Sequence, residues 1–208
     1  ADTGWLPQFL TAWHGERLQG ALPLYLKSHS YGEYVFDWAW ADAHERHGLP
    51  YYPKLTGAIP FTPVPGPRLL ALDEGARLAL LQGLRELLAK GLVSSAHLLF
   101  LCDADRAAAE SQGWLLRSTV QFHWHNRTPE PYGSFGDFLA RLQREKRKKI
   151  AQERRRVAEA GIRFETRQGS QITADDWDFF YRCYLTTYHA HRSTPYLTRA
   201  FFDEMAQH

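Results

Sequence analysis

At 208 residues the chain is long enough for one large domain or two small ones with a sizeable core. Its composition, 44% hydrophobic, 14% aromatic and 23% charged, is that of a globular protein, and no run of about 18 apolar residues is present to span a membrane as a helix. The net charge is +2, and two widely separated cysteines, Cys102 and Cys183, exclude a disulfide framework and point to a reducing, cytoplasmic setting.

The chain opens on Ala1 and ends at His208 inside a helical pattern, with no signal-peptide pattern, and reads as a piece of a longer protein. Residues 17–36 alternate well enough for two strands. Leu22, Leu24 and Leu26 share one face, and Ala21, Pro23, Tyr25 and Lys27 the other. Turn chemistry at 28–32 predicts a hairpin there, and Pro23 predicts an edge or a bulge. A helix is expected over 42–57, then a stiff proline-rich loop over 59–68, which can serve as a connector or wall a groove.

A short strand is predicted over 69–72. Next comes an amphipathic helix over 73–90, capped by Asp73 and stopped by Gly91. The apolar run 96–102 reads as a strand buried on both faces. A short helix over 103–112 and a strand over 114–127 follow. The order of strands and helices predicts a mixed α/β sheet flanked by helices.

Residues 135–161 read as one long helix with Ser134 as its cap and Gly161 as its stop. Phe135, Phe138, Leu139 and Leu142 form one apolar stripe, continued thinly by Ile150 and Val157. Between Arg141 and Arg156 stand nine Lys or Arg and two acids, so this segment carries +7 and the remainder −5. The basic charge is local, and the block Lys146 to Lys149 points it around most of the helix. Such a helix is either a solvated face or a contact for an anionic partner: nucleotide phosphate, RNA or lipid headgroup. A strand over 162–167, a helix capped by Thr173 and a further helix from about Leu197 complete the chain. The expected division is residues 1–130 and 131–208.

On the predicted strand 120–126, Gln121, His123 and His125 share a face. Two such histidines can ligate a metal or exchange protons, but no third and fourth ligands stand at zinc spacing, so no metal site is expected. His189 and His191 lie two apart on a helix and do not face each other. There is no Walker loop, GxGxxG, GxSxG or HExxH. Cys102 reads as a small core residue. Lys27, His29, Tyr31 and Asp37 either face a ligand or form an ordinary polar hairpin tip.

The segments GALPLYLKSHSYGEYVFDWAW (20–40), YYPKL (51–55), PFTPVPGPR (60–68) and the QFHWHN run followed by the basic helix resemble the bacterial FemAB-like proteins, within the GNAT acyltransferase superfamily. The resemblance covers nearly the whole chain. It implies two GNAT-like halves, the second opening with the basic helix. It further implies N-acyl transfer, in which an amine attacks an activated ester or thioester. No metal is needed; the donor is either aminoacyl-tRNA or acyl-CoA, and the acceptor a nucleotide-linked or lipid-linked muropeptide. Lys27, Tyr31 and Asp37, with the face of Gln121 and His123, would line the acceptor groove. Arg147, Lys148 and Arg154 would hold phosphate. No catalytic residue is carried over. The pyrophosphate loop of ordinary GNAT enzymes, Arg or Gln followed by x-x-Gly-x-Gly or Ala, is absent from these residues. Two other readings stand beside this one: a non-catalytic GNAT-scaffold module for an anionic glycan or nucleic acid, and a basic RNA-binding protein.

Overall fold

A computed structural model describes residues 3–207. The first strand, β1 (Trp5–His14), turns through Gly15 and Glu16 into β2 (Arg17–Lys27), and the two pair antiparallel from Trp5↔Lys27 to His14↔Arg17. Gly15 takes the left-handed conformation (φ 58°) that the tight turn needs. The hairpin therefore precedes β2. The hairpin expected after it, around 28–32, does not form. There the chain bends, with Gly32, Tyr34 and Phe36 at positive φ, a conformation that cannot extend a strand.

Helix α1 (Trp38–Arg46) starts earlier than expected and stops short of Gly48, whose φ is 67°. Pro50 and Pro53 bar any continuation, so the expected helix over 42–57 ends there. Lys54–Gly57 is instead a strand, β3, paired antiparallel with β2. Beyond the proline-rich loop, β4 (Leu70–Ala71) pairs with β2 at Gly20 and Ala21. Pro23, with no N–H to donate, falls where neither β3 nor β4 pairs with β2.

Helix α2 (Glu74–Ala89) begins as expected at Asp73, whose side chain accepts from the Ala76 N–H at 2.8 Å. Strand β5 (Ala96–Leu98) lies parallel to β3, and helix α3 (Asp103–Ser111) follows. The sheet order is β1-β2-β3-β5 with β4 beside β2: a five-stranded mixed sheet. Its apolar face carries Leu22, Leu24 and Leu55. These pack on Leu80, Leu81 and Leu84 of α2 and Ala108 and Ala109 of α3. The fold is mixed α/β, with helices flanking a mixed sheet.

The chain forms two compact units, one running to Val120 and the other beginning at Gln121. In neither unit do residues 114–127 form a strand. The alternation is present, but no strand ladder forms along it among the described residues, and Leu115 and Phe122 stand almost fully exposed. A strand exists only through its partner's hydrogen bonds, which periodicity does not supply.

The second unit opens with α4 (Phe135–Ala140), capped by Ser134, whose hydroxyl accepts from the Asp137 N–H. The predicted long helix breaks at Gln143 (φ −54°, ψ 146°), and α5 (Arg144–Glu159) is a separate helix. The break falls where the apolar stripe ends at Leu142 and uncompensated like charges begin, which weakens a continuous helix. Gly161 closes α5 at φ 70° as expected. Residues 162–167 form no strand, again for want of a paired neighbour among the described residues. Helix α6 (Ala174–Ala190) starts with a capping box between Thr173 and Asp176, and α7 (Arg199–Gln207) places Phe202 against Trp177, Phe180, Tyr181 and Tyr184.

Candidate functional site

The second face of the sheet is polar, and its residues follow from strand period two. Lys27 on β2 stands opposite Lys54 on β3, and Tyr25 on β2 stands opposite Thr56, which in turn neighbours His97 on β5. Ser95, two residues before His97, lies on the same face. Two lysines directly across a sheet repel. The loop 28–37 resolves this by folding back over the face with Ser30, Glu33 and Asp37.

Lys54 is fully buried, and its ammonium uses all three donors: Asp37 Oδ2 at 2.5 Å, Glu33 Oε2 at 2.8 Å and Ser30 Oγ at 2.9 Å. Tyr51 OH donates to Asp37 Oδ2 at 2.6 Å, Thr56 to Glu33 Oε1 at 3.2 Å, and Tyr52 OH shares a 2.7 Å bond with Ser30. Lys27, also fully buried, donates to the Tyr31 carbonyl at 3.1 Å and sits 3.8 Å from the Trp5 ring centre. With both lysines and both acids ionised the cluster is neutral, which is the condition for burying four charges.

Burial lowers Lys27 to about 8, the Lys54 charge adding to it and Glu33 opposing. Burial raises Glu33, against the pull of Lys54. Burial alone would raise Asp37, but the hydrogen bonds from Lys54 and Tyr51, with the Lys54 charge, outweigh it and hold the carboxyl at about 2. His97 is lowered to about 4 by burial and by the Lys54 charge, so it is neutral at pH 7. Its Nδ1 lies 3.9 Å from Asp37 Oδ2 and its Nε2 is 3.0 Å from Ser95 Oγ. Asp37 Oδ1 is buried without a partner among the described residues.

Above this network the loop and the start of α1 present aromatic rings to solvent: Tyr31, Phe36, Trp38 and Trp40. Tyr31 packs on His29 and Trp38, and Arg117 stands over Trp40. Tyr34 (φ 59°) and Phe36 (φ 50°) hold a backbone conformation that costs a bulky residue on the order of 1–2 kcal/mol. Proline-loop residues Ile59, Pro60, Pro67 and Arg68, with Tyr25, line a shallow groove of about 240 Å³ on the same unit. The buried Arg68 guanidinium donates to the Leu99, Pro67 and Val64 carbonyls, and its backbone N–H to the buried Asp105, so this pair holds the loop in shape.

Of the residues singled out in the sequence, Lys27, Tyr31 and Asp37 thus meet in one unit: Lys27 and Asp37 buried, Tyr31 exposed. Gln121 and His123 lie in the other unit on exposed chain outside any strand or helix, with the His123 and His125 rings stacked 6.2 Å apart. Arg147, Lys148 and Arg154 belong to α5. Arg147 donates to the Ala140 carbonyl at 3.4 Å, Arg154 lies 4.3 Å over the Phe135 ring, and Lys148 is exposed. Among the described residues the helix has one ion pair, Lys149 with Glu153 at 4.0 Å, so most of its charge faces water. No group of three metal-ligating side chains occurs among the described residues, and none of their helices is long and apolar enough to cross a membrane.

Sequence reasoning missed Glu33, Tyr51, Lys54, Ser95 and His97. Lys54 and Thr56 alternate with Leu55, a two-residue strand signal hidden inside an expected helix. Ser95 and His97 stand at the same spacing at the start of an apolar run.

No curated protein and no solved structure matches the chain. A family model described as peptidoglycan biosynthesis/recognition matches residues 1–208. With the match spanning the whole sequence, the chain belongs to the FemAB-like family.

Proposed function

We propose that this protein is an N-acyltransferase that forms an amide on an amine of a peptidoglycan precursor, with residues 1–130 as a first GNAT-like half and 131–208 opening a second. The observation that carries the reading is α5: eight Lys or Arg in sixteen residues, nearly all exposed and with one internal ion pair. An unneutralised cationic helix suits a donor or acceptor carrying phosphates, which both aminoacyl-tRNA and a nucleotide- or lipid-linked muropeptide do. In this reading Arg147, Lys148 and Arg154 hold phosphate. Tyr31 and the neighbouring exposed rings offer apolar faces to the acceptor, while Lys27 and Asp37 fix the loop that carries them. Gln121 and His123 add polar contacts on the second unit. The chemistry is attack of the amine nitrogen on the activated carbonyl carbon, with expulsion of a ribose hydroxyl or a thiol.

A second reading is favoured by the burial of Lys27, Glu33, Asp37 and Lys54: a recognition module on the same scaffold, binding an anionic glycan without turnover. One experiment separates the two. The full chain is titrated with charged tRNA, uncharged tRNA and acetyl-CoA at low and moderate salt. It is then incubated with each donor and a nucleotide-linked muropeptide, and the product is read by mass spectrometry. Preference for one donor and a muropeptide lengthened by one acyl group support transfer. Saturable muropeptide binding with no product from any donor supports recognition.

A further inference from the structure

Ser95, His97 and Asp37 come from two distant stretches of chain, and neither the acceptor surface nor the cationic helix uses the first two. Their order in space is that of a nucleophile, a base and a carboxylate. Ser95 Oγ lies 3.0 Å from His97 Nε2, and His97 Nδ1 lies on the Asp37 side, 3.9 Å from Oδ2. Three further observations bear on this arrangement. The Asp37 side chain is fully buried, and its Oδ1 has no partner among the described residues, while its other oxygen already accepts from Lys54 and Tyr51. Among the described residues no hydrogen bond is made by His97 Nδ1. Ser95 and the His97 ring both reach solvent, as a reacting pair must, with the imidazole side chain 21% exposed.

The tautomer follows from these surroundings. The acceptor facing Nδ1 is a carboxylate, so the neutral ring carries its proton on Nδ1 and leaves the Nε2 lone pair toward the Ser95 hydroxyl. Nδ1 thus faces a buried carboxylate across 3.9 Å, its facing oxygen being the Oδ2 that Lys54 and Tyr51 hold in place. Catalytic hydrogen bonds are commonly long in the unliganded state and tighten around the reacting groups.

We infer that Ser95 is a nucleophile that takes an acyl group from an activated ester or thioester, with His97 as its base and Asp37 as the residue that positions His97. This deepens the acyl-transfer reading above and rests on it, dividing one transfer into two. In the first, Ser95 Oγ bonds to the carbonyl carbon as its proton passes to His97 Nε2. The carbon–oxygen or carbon–sulfur bond of the donor breaks, and the leaving alkoxide or thiolate takes that proton. In the second, the acceptor amine attacks the acyl-serine ester, His97 receives the amine proton, and that proton returns to Ser95 Oγ as the ester bond breaks. Nothing is oxidised or reduced. While the ring is positively charged, the Asp37 carboxylate on its Nδ1 side, 3.9 Å away, offsets that charge. The imidazole is faced by Lys54, Asp37, Arg117 and the Tyr51 ring, and being neutral at pH 7 it keeps a lone pair to accept the Ser95 proton.

The test uses the full chain and a p-nitrophenyl acyl ester, which needs neither tRNA nor muropeptide. The expected result is a burst of p-nitrophenolate of one equivalent per chain, with the acyl group mapped by peptide mass spectrometry to Ser95. Ser95→Ala abolishes the burst, and His97→Gln slows it by about a hundredfold or more, each with an unchanged circular dichroism spectrum. Asp37→Asn, assayed where it remains folded, moves the midpoint of the pH–rate profile to lower pH, because the carboxylate no longer favours the imidazolium. An acyl group found on Lys27 or elsewhere, no adduct at all, or an unchanged rate in His97→Gln overturns the assignment. An unmoved midpoint in Asp37→Asn removes Asp37 from it. Failure here, with muropeptide product still formed, leaves transfer intact as a direct attack of the amine on the donor. Loss of that product in every assay instead removes the transfer reading itself.

Discussion

Lys54 Nζ lies 2.5 Å from Asp37 Oδ2, with both side chains fully excluded from water. A strand residue thereby ties down the residue that starts α1, and with Glu33 and Ser30 it fixes the whole intervening loop. Removing one member of a buried pair leaves the other's charge uncompensated, at a cost of about 3–5 kcal/mol. Lys54→Met is therefore expected to destabilise the first unit by that amount, read from urea denaturation of the full chain. A loss below about 1 kcal/mol would show that water reaches Glu33 and Asp37 and that the network is not dry.

The pH dependence of stability has a definite sign. His97 is held at about 4 in the fold against an ordinary 6.5, so between these values the unfolded chain binds the extra proton. Stability falls as pH drops from 6.5 to 4. Asp37, held at about 2 against 3.8, adds a second loss as pH falls from 3.8 toward 2. Lys27, held at about 8 against 10.5, acts in the alkaline range: stability rises from pH 8 to 10.5 as the penalty for its buried charge disappears. Denaturation midpoints at about pH 7 and about pH 4 should differ in the native sequence and differ less in His97→Gln. Equal differences in the two proteins would contradict the lowered His97.

Gly32 has φ 81°, and a Cβ there would lie 2.5 Å from the Phe61 ring. Both the backbone and the close approach require glycine. Gly32→Ala should cost at least about 1 kcal/mol and weaken ligand binding at the exposed rings around Tyr31. A thermal unfolding midpoint within error of the native one would mean that the loop reshapes freely, and so does not preorganise a site.

For α5, the double substitution Arg147→Gln and Lys148→Gln should lower the slope of log Kd against log salt for a phosphate-bearing ligand by roughly 2, about one for each phosphate no longer neutralised. The circular dichroism spectrum should be unchanged, since neither side chain is buried. If affinity and slope both stay at native values, this part of the helix is a solvated face and binds no phosphate.

Local signals carried much of the architecture. The Asp73, Ser134 and Thr173 caps, the Gly91 and Gly161 stops, the two-faced pattern of β2 and the mixed α/β class were all legible, because each depends on a few adjacent residues. So was the basic charge that α5 now carries. Partnership was not legible. The runs 114–127 and 162–167 alternate like strands and are none, whereas 54–57 was hidden in a helical pattern and became the central link between β2 and β5. Pairing needs a neighbour that the run itself does not encode. The candidate site shows the same division. Lys27, Tyr31 and Asp37 stood out as polar residues in one short stretch, but nothing local could say that Lys27 and Asp37 are buried or that Lys54 and His97 join them. That was decided when β3 docked between β2 and β5, set two lysines opposite each other in a dry face, and left the loop acids to neutralise them.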